Sequence, residues 1–152
     1  MIAKAVRRGC PLRFDTVREA VRDIAGVRVT CSFVSDVYAM FEMFTAQADI
    51  DVIEVDDYIA NPKPNGYQSL HATVQVPVFL SAGPVPVFVE MQFRTVAMDF
   101  WASLEHKIYY KYDRAVPATL LAELKEAADT AAGLDRRMQK LHREVSSLER
   151  SM

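Results

Sequence analysis

The segment from Pro62 to His71, PKPNGYQSLH, gathers side chains that can bind a nucleotide. Lys63 and His71 can contact phosphates, and Tyr67 offers a flat ring on which a purine can stack. Ser69 and His71 alternate onto one face of the strand that follows, while the leucine between them faces the core. The segment therefore predicts a nucleotide-binding edge.

An ordinary surface turn is the alternative interpretation of this segment. The prolines stiffen the approach, and Asn65-Gly66 permits a tight turn with positive φ that would hold Tyr67 where the strand begins. A solvated lysine, a tyrosine resting on the surface and a hydrogen-bonded histidine would fit such a turn equally well. The number of ligand-like residues on one short edge keeps the nucleotide hypothesis open.

A polar row follows in the stretch VFVEMQFR, where apolar and polar residues alternate. Glu90, Gln92 and Arg94 share one face of the predicted strand, and the other face carries Val87, Val89, Met91 and Phe93. Such a row is also common on a sheet face exposed to water. If this strand pairs with the one before it, Glu90 lies beside His71 and becomes a candidate metal ligand or general base.

A second carboxylate, Asp23, stands at the predicted end of a helix, where the helix dipole disfavours negative charge. Its position invites a cation. Arg28, five residues on, would satisfy it with a plain salt bridge. Together with Glu90, Asp23 would instead hold Mg²⁺ through two carboxylates and nucleotide phosphates.

The elements that must position these residues follow from periodicity. A capping box at Thr16 and Glu19 opens a helix that ends at Gly26, and Val27 to Val34 alternates as a strand. Ser35 is a candidate cap for a helix through about Ala48, with Val37, Phe41 and Phe44 on its face. Ile50 to Val55 reads as a second strand, so strand, helix and strand suggest a right-handed crossover.

The second half of the chain predicts a hairpin and two helices. Leu70, Ala72, Val74 and Val76 alternate inward, and the chain reverses in a long tip around Ser81 to Pro84 before the polar row. Thr95 is a candidate cap for a helix whose face holds Ala97, Trp101, Leu104 and Ile108, and Pro117 opens a last helix. That helix carries a heptad seam that predicts packing on another helix, within the chain or in a dimer: Leu120, Leu124, Ala127, Ala131, Leu134, Met138, Leu141, Val145 and Leu148.

Composition narrows the class of protein. At 152 residues with 51% hydrophobic residues, the chain is long enough for one domain with its own core. A net charge of −2 argues against binding to nucleic acid through bulk charge. Cys10 and Cys31 form no Cys-x-x-Cys pair, so a buried free thiol is expected rather than a disulfide or zinc site. No apolar run approaches the ~20 residues of a membrane span. We expect a cytoplasmic protein.

Taken together, the chain resembles the synthetase domain of the RelA/SpoT alarmone family, most of all its small single-domain members. The resemblance rests on four motifs in order: RDIAGVRV (22–29), DDYIANPKPNGYQSLH (56–71), VEMQFRT (89–95) and MDFWASLEHKIYYKY (98–112). It implies an α/β (α+β) fold of nucleotidyltransferase-like type, with a mixed sheet flanked by helices. Residues 1–115 would form the synthetase core, and residues 116–152 a C-terminal helical segment of the same domain.

The resemblance also implies an activity: transfer of pyrophosphate from ATP to the 3′-hydroxyl of GDP or GTP, with Mg²⁺ as cofactor. It makes Asp23 the metal ligand, and Glu90 the carboxylate that helps hold the metal and activates the attacking hydroxyl. Tyr67 becomes the guanine-stacking ring. On the acceptor nucleotide and its phosphates the resemblance places Lys63, Ser69, His71, Gln92 and Arg94, and on ATP it places Lys4, Arg7 and Arg28.

One departure concerns the donor side. Family members carry an Arg-x-Lys…Ser stretch that binds the ATP phosphates and supplies a second adenine-stacking arginine, and only Lys4 and Arg7 match the end of that region here. This predicts weakened ATP binding. The alternative hypothesis is therefore an inactive, truncated paralogue that binds guanine nucleotide or assembles with other subunits. The resemblance further implies a homo-oligomer, tetramer or dimer, with no need for nucleic acid.

Overall fold

A computed structural model describes residues 25–111 and 116–149 of the chain, and for residues 109–111 it describes the backbone. These residues form four strands and three helices. In chain order they are β1 (Ala25–Cys31), α1 (Val34–Thr45), β2 (Asp51–Asp57), β3 (Leu70–Leu80), β4 (Gly83–Thr95), α2 (Val96–Lys111) and α3 (Ala118–Glu149).

The strands form one mixed sheet in the order β1-β4-β3-β2. β1 runs parallel to β4, whereas β3 is antiparallel to both of its neighbours. The strand, helix and strand over β1, α1 and β2 therefore do not join neighbouring strands, because β3 and β4 lie between them. The predicted mixed sheet with flanking helices is confirmed.

The β3–β4 hairpin is longer than the sequence pattern predicted. Leu80 pairs with Gly83, so the connection is a two-residue turn rather than a long tip. Gly83 has a φ of 116°, a value that side chains with a Cβ rarely adopt. The predicted alternation is confirmed nearer the site, where β3 and β4 lie at the centre of the sheet.

The core lies between this sheet and α1. Leu70, Ala72 and Val74 of β3 are buried, together with Met91 and Phe93 of β4. From α1, Val37 is fully buried, and the ring of Phe41 meets Phe93 edge to face with centroids 5.8 Å apart. The predicted inner faces of α1 and of the hairpin are therefore correct.

Cys31, at the end of β1, is a buried free thiol, as predicted. Burial raises its thiol pKa, and the nearby Asp36 carboxylate adds to the effect. Burial stabilises the neutral thiol because a thiolate would lose its hydration.

Three boundaries at the start of the described chain differ from the prediction. β1 begins at Ala25, so Gly26 belongs to a strand and not to a helix end. The same strand ends at Cys31, three residues before the predicted end at Val34. Phe33 is the N-cap residue of α1, and no side chain caps it, so Ser35 is not the cap. The predicted capping box at Thr16 and Glu19 lies outside the described residues.

The N-terminus of α2 is capped as predicted, since the backbone N–H of Met98 donates to Thr95 Oγ1 at 3.1 Å. The predicted buried face was only partly right. Trp101 is buried, but Leu104 is 41% exposed, and Met98 and Ala102 take the inner positions.

Within the described chain, the heptad seam of α3 packs on another element only in part, so the intramolecular alternative is wrong for most of its length, and the dimer alternative stays a prediction. Leu124 is buried and Ala131 packs against the core, but Leu134, Met138, Leu141, Val145 and Leu148 are exposed. Asp135 and Gln139 are buried instead. Asp135 Oδ2 accepts a 2.6 Å hydrogen bond from Thr95 Oγ1, and Gln139 Oε1 accepts one of 2.9 Å from the Ser35 N–H. Polar groups at the starts of α2 and α1 thus select a polar inner face for α3.

Among the described residues, no helix combines the length and apolar character that a membrane span requires.

Candidate functional site

The loop between β2 and β3 folds into a tight, internally bonded turn. Gly66 has the predicted positive φ, at 86°, and its N–H donates to the Lys63 carbonyl at 2.8 Å. The Tyr67 N–H donates to Asn65 Oδ1 at 3.1 Å, and the Tyr67 carbonyl accepts from the Lys63 N–H at 3.1 Å. The loop thereby fixes the backbone of Tyr67 just before β3.

Helix α3 supports this loop from outside. A Cβ placed on Gly66 would lie 2.5 Å from Ala128 Cβ and 3.2 Å from Lys125 Cδ, both on α3. Glycine is therefore required at this position for two reasons: its backbone conformation and the close approach of the helix.

Two aromatic rings and a lysine cluster at the rim of the loop. Lys63 Nζ lies 4.2 Å from the ring centroid of Tyr58 and 5.0 Å from that of Tyr67. An ammonium group over an aromatic face is held by cation–π attraction. Lys63 is exposed, and this attraction holds its ammonium group beside the two rings. The pKa of the Tyr58 phenol is raised, first by desolvation and then by Asp56.

Arg94 binds the Tyr67 ring from the sheet side. Its side chain is buried, and its Nη2 donates to the Tyr67 hydroxyl at 2.7 Å and to Gln92 Oε1 at 2.8 Å. Its guanidinium carbon also lies 5.3 Å from the Tyr67 ring centroid. The polar row of β4 is therefore connected directly to the loop.

Five side chains close a hydrogen-bonded ring that starts and ends at Arg94. The Tyr67 hydroxyl lies 2.7 Å from His71 Nε2, and His71 Nδ1 lies 3.3 Å from Glu90 Oε1. Gln92 Nε2 donates to the same Glu90 oxygen at 3.4 Å and so completes the ring. The predicted neighbourhood of Glu90 and His71 is confirmed.

The chemistry of the groups sets the direction of every bond in this ring. The Glu90 carboxylate can only accept, so a neutral His71 carries its hydrogen on Nδ1 and donates a hydrogen bond to Glu90. Nε2 is then an acceptor for the Tyr67 O–H, and the Tyr67 oxygen accepts from Arg94, which can only donate. All donors therefore point from Arg94 toward the Glu90 carboxylate, which is the terminal acceptor.

His71 fits this ring as a neutral imidazole. Its pKa is lowered mainly by burial, with further lowering from Arg94 and Lys63, although Glu90 and Asp56 oppose the shift. At neutral pH the contact between His71 and Glu90 is therefore a hydrogen bond from Nδ1–H and not an ion pair.

Ser69 takes part in the site from inside the protein. It is fully buried, and its hydroxyl donates to the Phe93 carbonyl at 3.3 Å and accepts from Arg94 Nε at 3.4 Å. On the face that was predicted to bind phosphate, Ser69 is therefore a buried residue that supports Arg94.

Arg28 reaches the site from β1. In the parallel register Arg28 pairs with Gln92, which brings the two strands' polar residues together. Arg28 Nη1 lies 3.0 Å from Asp99 Oδ1 in the first turn of α2. The same oxygen lies 3.1 Å from Arg94 Nη1. One carboxylate thus serves two arginines.

Four of the site residues described above border an open pocket of about 450 Å³ between β4, the loop and α2. Arg28, Tyr67, Gln92 and Arg94 form one wall. The other wall comes from α2, with Ala102, Ser103, Glu105, His106 and Lys107. The pocket is therefore predominantly basic, and an aromatic ring lies in its wall, a combination suited to a nucleotide.

Three predicted site residues, Lys4, Arg7 and Asp23, lie outside the described residues. Within the described ranges, no group of three or more His, Cys, Asp and Glu side chains is arranged to hold a metal ion. Of the predicted metal pair, Asp23 and Glu90, Glu90 lies among the described residues, where its carboxylate contacts His71 and Gln92.

Sequence reasoning missed the contribution of α2. Asp99, Glu105 and His106 all lie in the quoted motif MDFWASLEHK, but none was selected as a site residue. Glu105 Oε1 accepts from Asn65 Nδ2 at 3.3 Å, so α2 also holds the loop. The motif MDFWASLEHK was the sequence signal that could have pointed to these residues. It does not show which face of the helix lies toward the sheet.

Comparison with known proteins is consistent with this geometry. Residues 1–115 match the family described as "Region found in RelA / SpoT proteins". GTP pyrophosphokinase YwaC of Bacillus subtilis (strain 168) is 48% identical over 145 residues, which cover 95% of this chain and 69% of that protein.

Solved structures of a Bacillus subtilis protein are also similar. Small alarmone synthetase 1 bound to its product pppGpp has a TM-score of 0.85 and 39% identity, covering 95% of this chain and 73% of that one. The same protein bound to AMPCPP has a TM-score of 0.77 and 35% identity, covering 95% and 71%.

Proposed function

Because this chain belongs to the RelA/SpoT family, we propose that it is a GTP pyrophosphokinase of the small alarmone synthetase type. It transfers pyrophosphate from ATP to the 3′-hydroxyl of GDP or GTP, and releases AMP and (p)ppGpp. The similar structures with pppGpp and with AMPCPP support a product and a donor nucleotide of these kinds.

The observation that carries the proposal is that Arg28 and Tyr67 border one pocket. Arg28 is assigned to the adenine of ATP, and Tyr67 to the guanine of the acceptor. A transfer between two nucleotides requires the two binding sites to meet, because catalysis of this kind consists mostly of positioning and charge neutralisation.

The hydrogen-bonded ring gives each of its members a task in this reaction. Glu90 receives the proton of the attacking 3′-hydroxyl. His71 and Gln92 hold the Oε1 atom of Glu90 in place. Arg94 and Lys63 provide positive charge for the acceptor phosphates. Lys4 and Arg7 are assigned to the ATP phosphates.

We also assign Mg²⁺ to this site, held by Asp23, Glu90 and nucleotide phosphates. Mg²⁺ commonly takes one or two carboxylates plus substrate phosphates, so the carboxylate of Glu90 suits it. When bound, the ion neutralises phosphate charge. Removal of Mg²⁺ with EDTA should abolish product formation, and added Mg²⁺ should restore it.

The test of the function is incubation of the full chain with ATP, Mg²⁺ and GDP or GTP, followed by chromatography for AMP and (p)ppGpp. We expect product from the wild type and from Glu123→Gln, an exposed position on α3, and none from Glu90→Gln. A folded wild type that forms no AMP would overturn the proposal. Guanine-nucleotide binding without product would favour the inactive paralogue instead.

The proposal extends to a cytoplasmic homo-oligomer, dimer or tetramer. The exposed apolar side chains of α3, from Leu134 to Leu148, support association because a helix face of this kind is stabilised by burial. Light scattering at micromolar concentration should give a mass of at least two chains, and a monomer would contradict it.

A further inference from the structure

Asp99 lies between the two proposed nucleotide sites. Its Oδ1 is 3.0 Å from Arg28 Nη1 and 3.1 Å from Arg94 Nη1. We propose that Asp99 is a positioning residue that couples the donor and acceptor sites by holding both arginines through one oxygen. This inference rests on the proposed function, because that function assigns Arg28 to ATP and Arg94 to the acceptor.

The start of α2 makes Asp99 a well-placed carboxylate. Thr95 caps the helix through the Met98 N–H, and Asp99 follows in the first turn. Negative charge is favoured near a helix N-terminus by the helix dipole. The hydroxyl of Thr95 is in turn held by Asp135 of α3. The position of Asp99 relative to the sheet is thus defined by two helices.

The two arginines differ in how strongly they are held. Arg94 is buried and bonded to Ser69, Tyr67 and Gln92, so its position is set by the acceptor side of the site. Arg28 has a side chain that is 48% exposed. Asp99 therefore restrains the more exposed Arg28, because the same oxygen also contacts the fixed Arg94.

The geometry of a guanidinium group makes this arrangement compatible with stacking. Its N–H donors lie in the plane of the group, so an ion pair through Nη1 occupies an edge and leaves the flat faces for a base. Asp99 can thus orient Arg28 for adenine without competing with it for the same surface.

Sharing one oxygen also links the two binding events. Without the carboxylate, two guanidinium groups would face each other uncompensated, and one of them is buried. ATP that binds the exposed Arg28 restrains Asp99, and Asp99 in turn adds to the order of Arg94 on the acceptor side; this coupling is reciprocal. We expect each nucleotide to bind more tightly when the other is present, and this cooperativity to depend on Asp99.

Calorimetry with the full chain tests this without turnover, with AMPCPP and GDP as probes titrated singly and in each other's presence. We expect Asp99→Asn to weaken both probes roughly ten-fold or more and to remove the cooperativity, because each arginine loses a charge-assisted bond. The KM values for ATP and GDP should rise in parallel. Asp99→Glu should recover part of the loss.

Asp36→Asn is the matched control. Asp36 lies in the first turn of α1, so this variant loses the same kind of interaction with a helix dipole. It should bind both probes as the wild type does. The double variant Arg28→Ala, Asp99→Asn should bind AMPCPP no more weakly than Arg28→Ala alone, because Asp99 acts on ATP through Arg28.

The outcomes separate this inference from the proposed function. If Asp99→Asn changes thermal stability but leaves both affinities and their cooperativity equal to those of Asp36→Asn, the role is structural and the inference is overturned. If the wild type binds both probes yet forms no AMP, the function fails, while the coupling measured by calorimetry still decides the inference. Binding of neither probe by the wild type overturns both.

Discussion

The hydroxyl oxygen of Tyr67 lies 2.7 Å from His71 Nε2. This contact anchors the phenol end of the ring, and a second bond from Arg94, also of 2.7 Å, fixes it from the other side. Tyr67 therefore contributes in two separable ways: its ring borders the pocket, and its hydroxyl connects Arg94 to His71.

Replacing Tyr67 with phenylalanine tests this division. Tyr67→Phe keeps the ring but removes the hydroxyl, so we expect kcat to fall roughly ten- to hundred-fold, from the loss of charge-assisted bonds, with a small change in the KM for GDP. Tyr67→Leu should raise that KM as well, because the stacking surface is lost. Steady-state kinetics on both variants measures the difference. Equal effects of the two variants on KM would contradict it.

Lys63 should contribute to acceptor binding through its charge. Its ammonium is held over the Tyr58 and Tyr67 rings at the rim of the loop. Lys63→Met keeps most of the apolar stem, and should raise the KM for GDP roughly ten-fold through loss of a charge-assisted phosphate contact. Lys140→Met, on the exposed surface of α3, is the control and should leave the KM unchanged. A KM for ATP that rises instead would move Lys63 to the donor side.

Gly66→Ala should destabilise the protein by about 2–4 kcal/mol, from a strained backbone plus overpacking against Ala128. Chemical denaturation measures it. Gly83→Ala carries the backbone strain alone, because nothing lies within 4 Å of its added Cβ, and should cost less. Gly133→Ala, within helix α3, should instead stabilise by up to about 1 kcal/mol. If Gly66 and Gly83 variants lose the same stability, α3 does not press on the loop.

Asp135 should make stability depend on pH. Burial raises its carboxyl pKa above the ordinary value of 3.8, although the bond from Thr95 opposes the shift. Between pH 3.8 and the raised pKa of the folded state, the folded state binds more protons than the unfolded state. This group's contribution to stability is therefore lost as pH rises through the folded pKa. Asp135→Asn retains an acceptor for Thr95, and its stability relative to the wild type should increase with pH. Denaturation across the acidic range would show an unchanged difference if the prediction is wrong.

Much of the molecule was determined by local sequence. Strict alternation predicted the inner faces of β3 and β4, and Asn65-Gly66 predicted the positive φ that orders the loop. The contact between Glu90 and His71, which are diagonal neighbours across the hairpin, also followed, because two antiparallel strands with a period of two residues leave few ways to place a polar row. The resemblance of four ordered motifs identified the family.

Only tertiary structure decided how the helices contribute. The apolar heptads of α3 predicted packing on another helix, within the chain or in a dimer. Within the described chain, however, Asp135 and Gln139 face inward because Thr95 and the Ser35 N–H need hydrogen-bond partners. Likewise, nothing in local periodicity joins Arg28 to Asp99, which are far apart in the chain and meet because β1 lies beside β4. Periodicity reports whether a side chain prefers to be buried, but the partner that a polar group finds depends on which distant elements the fold brings to it.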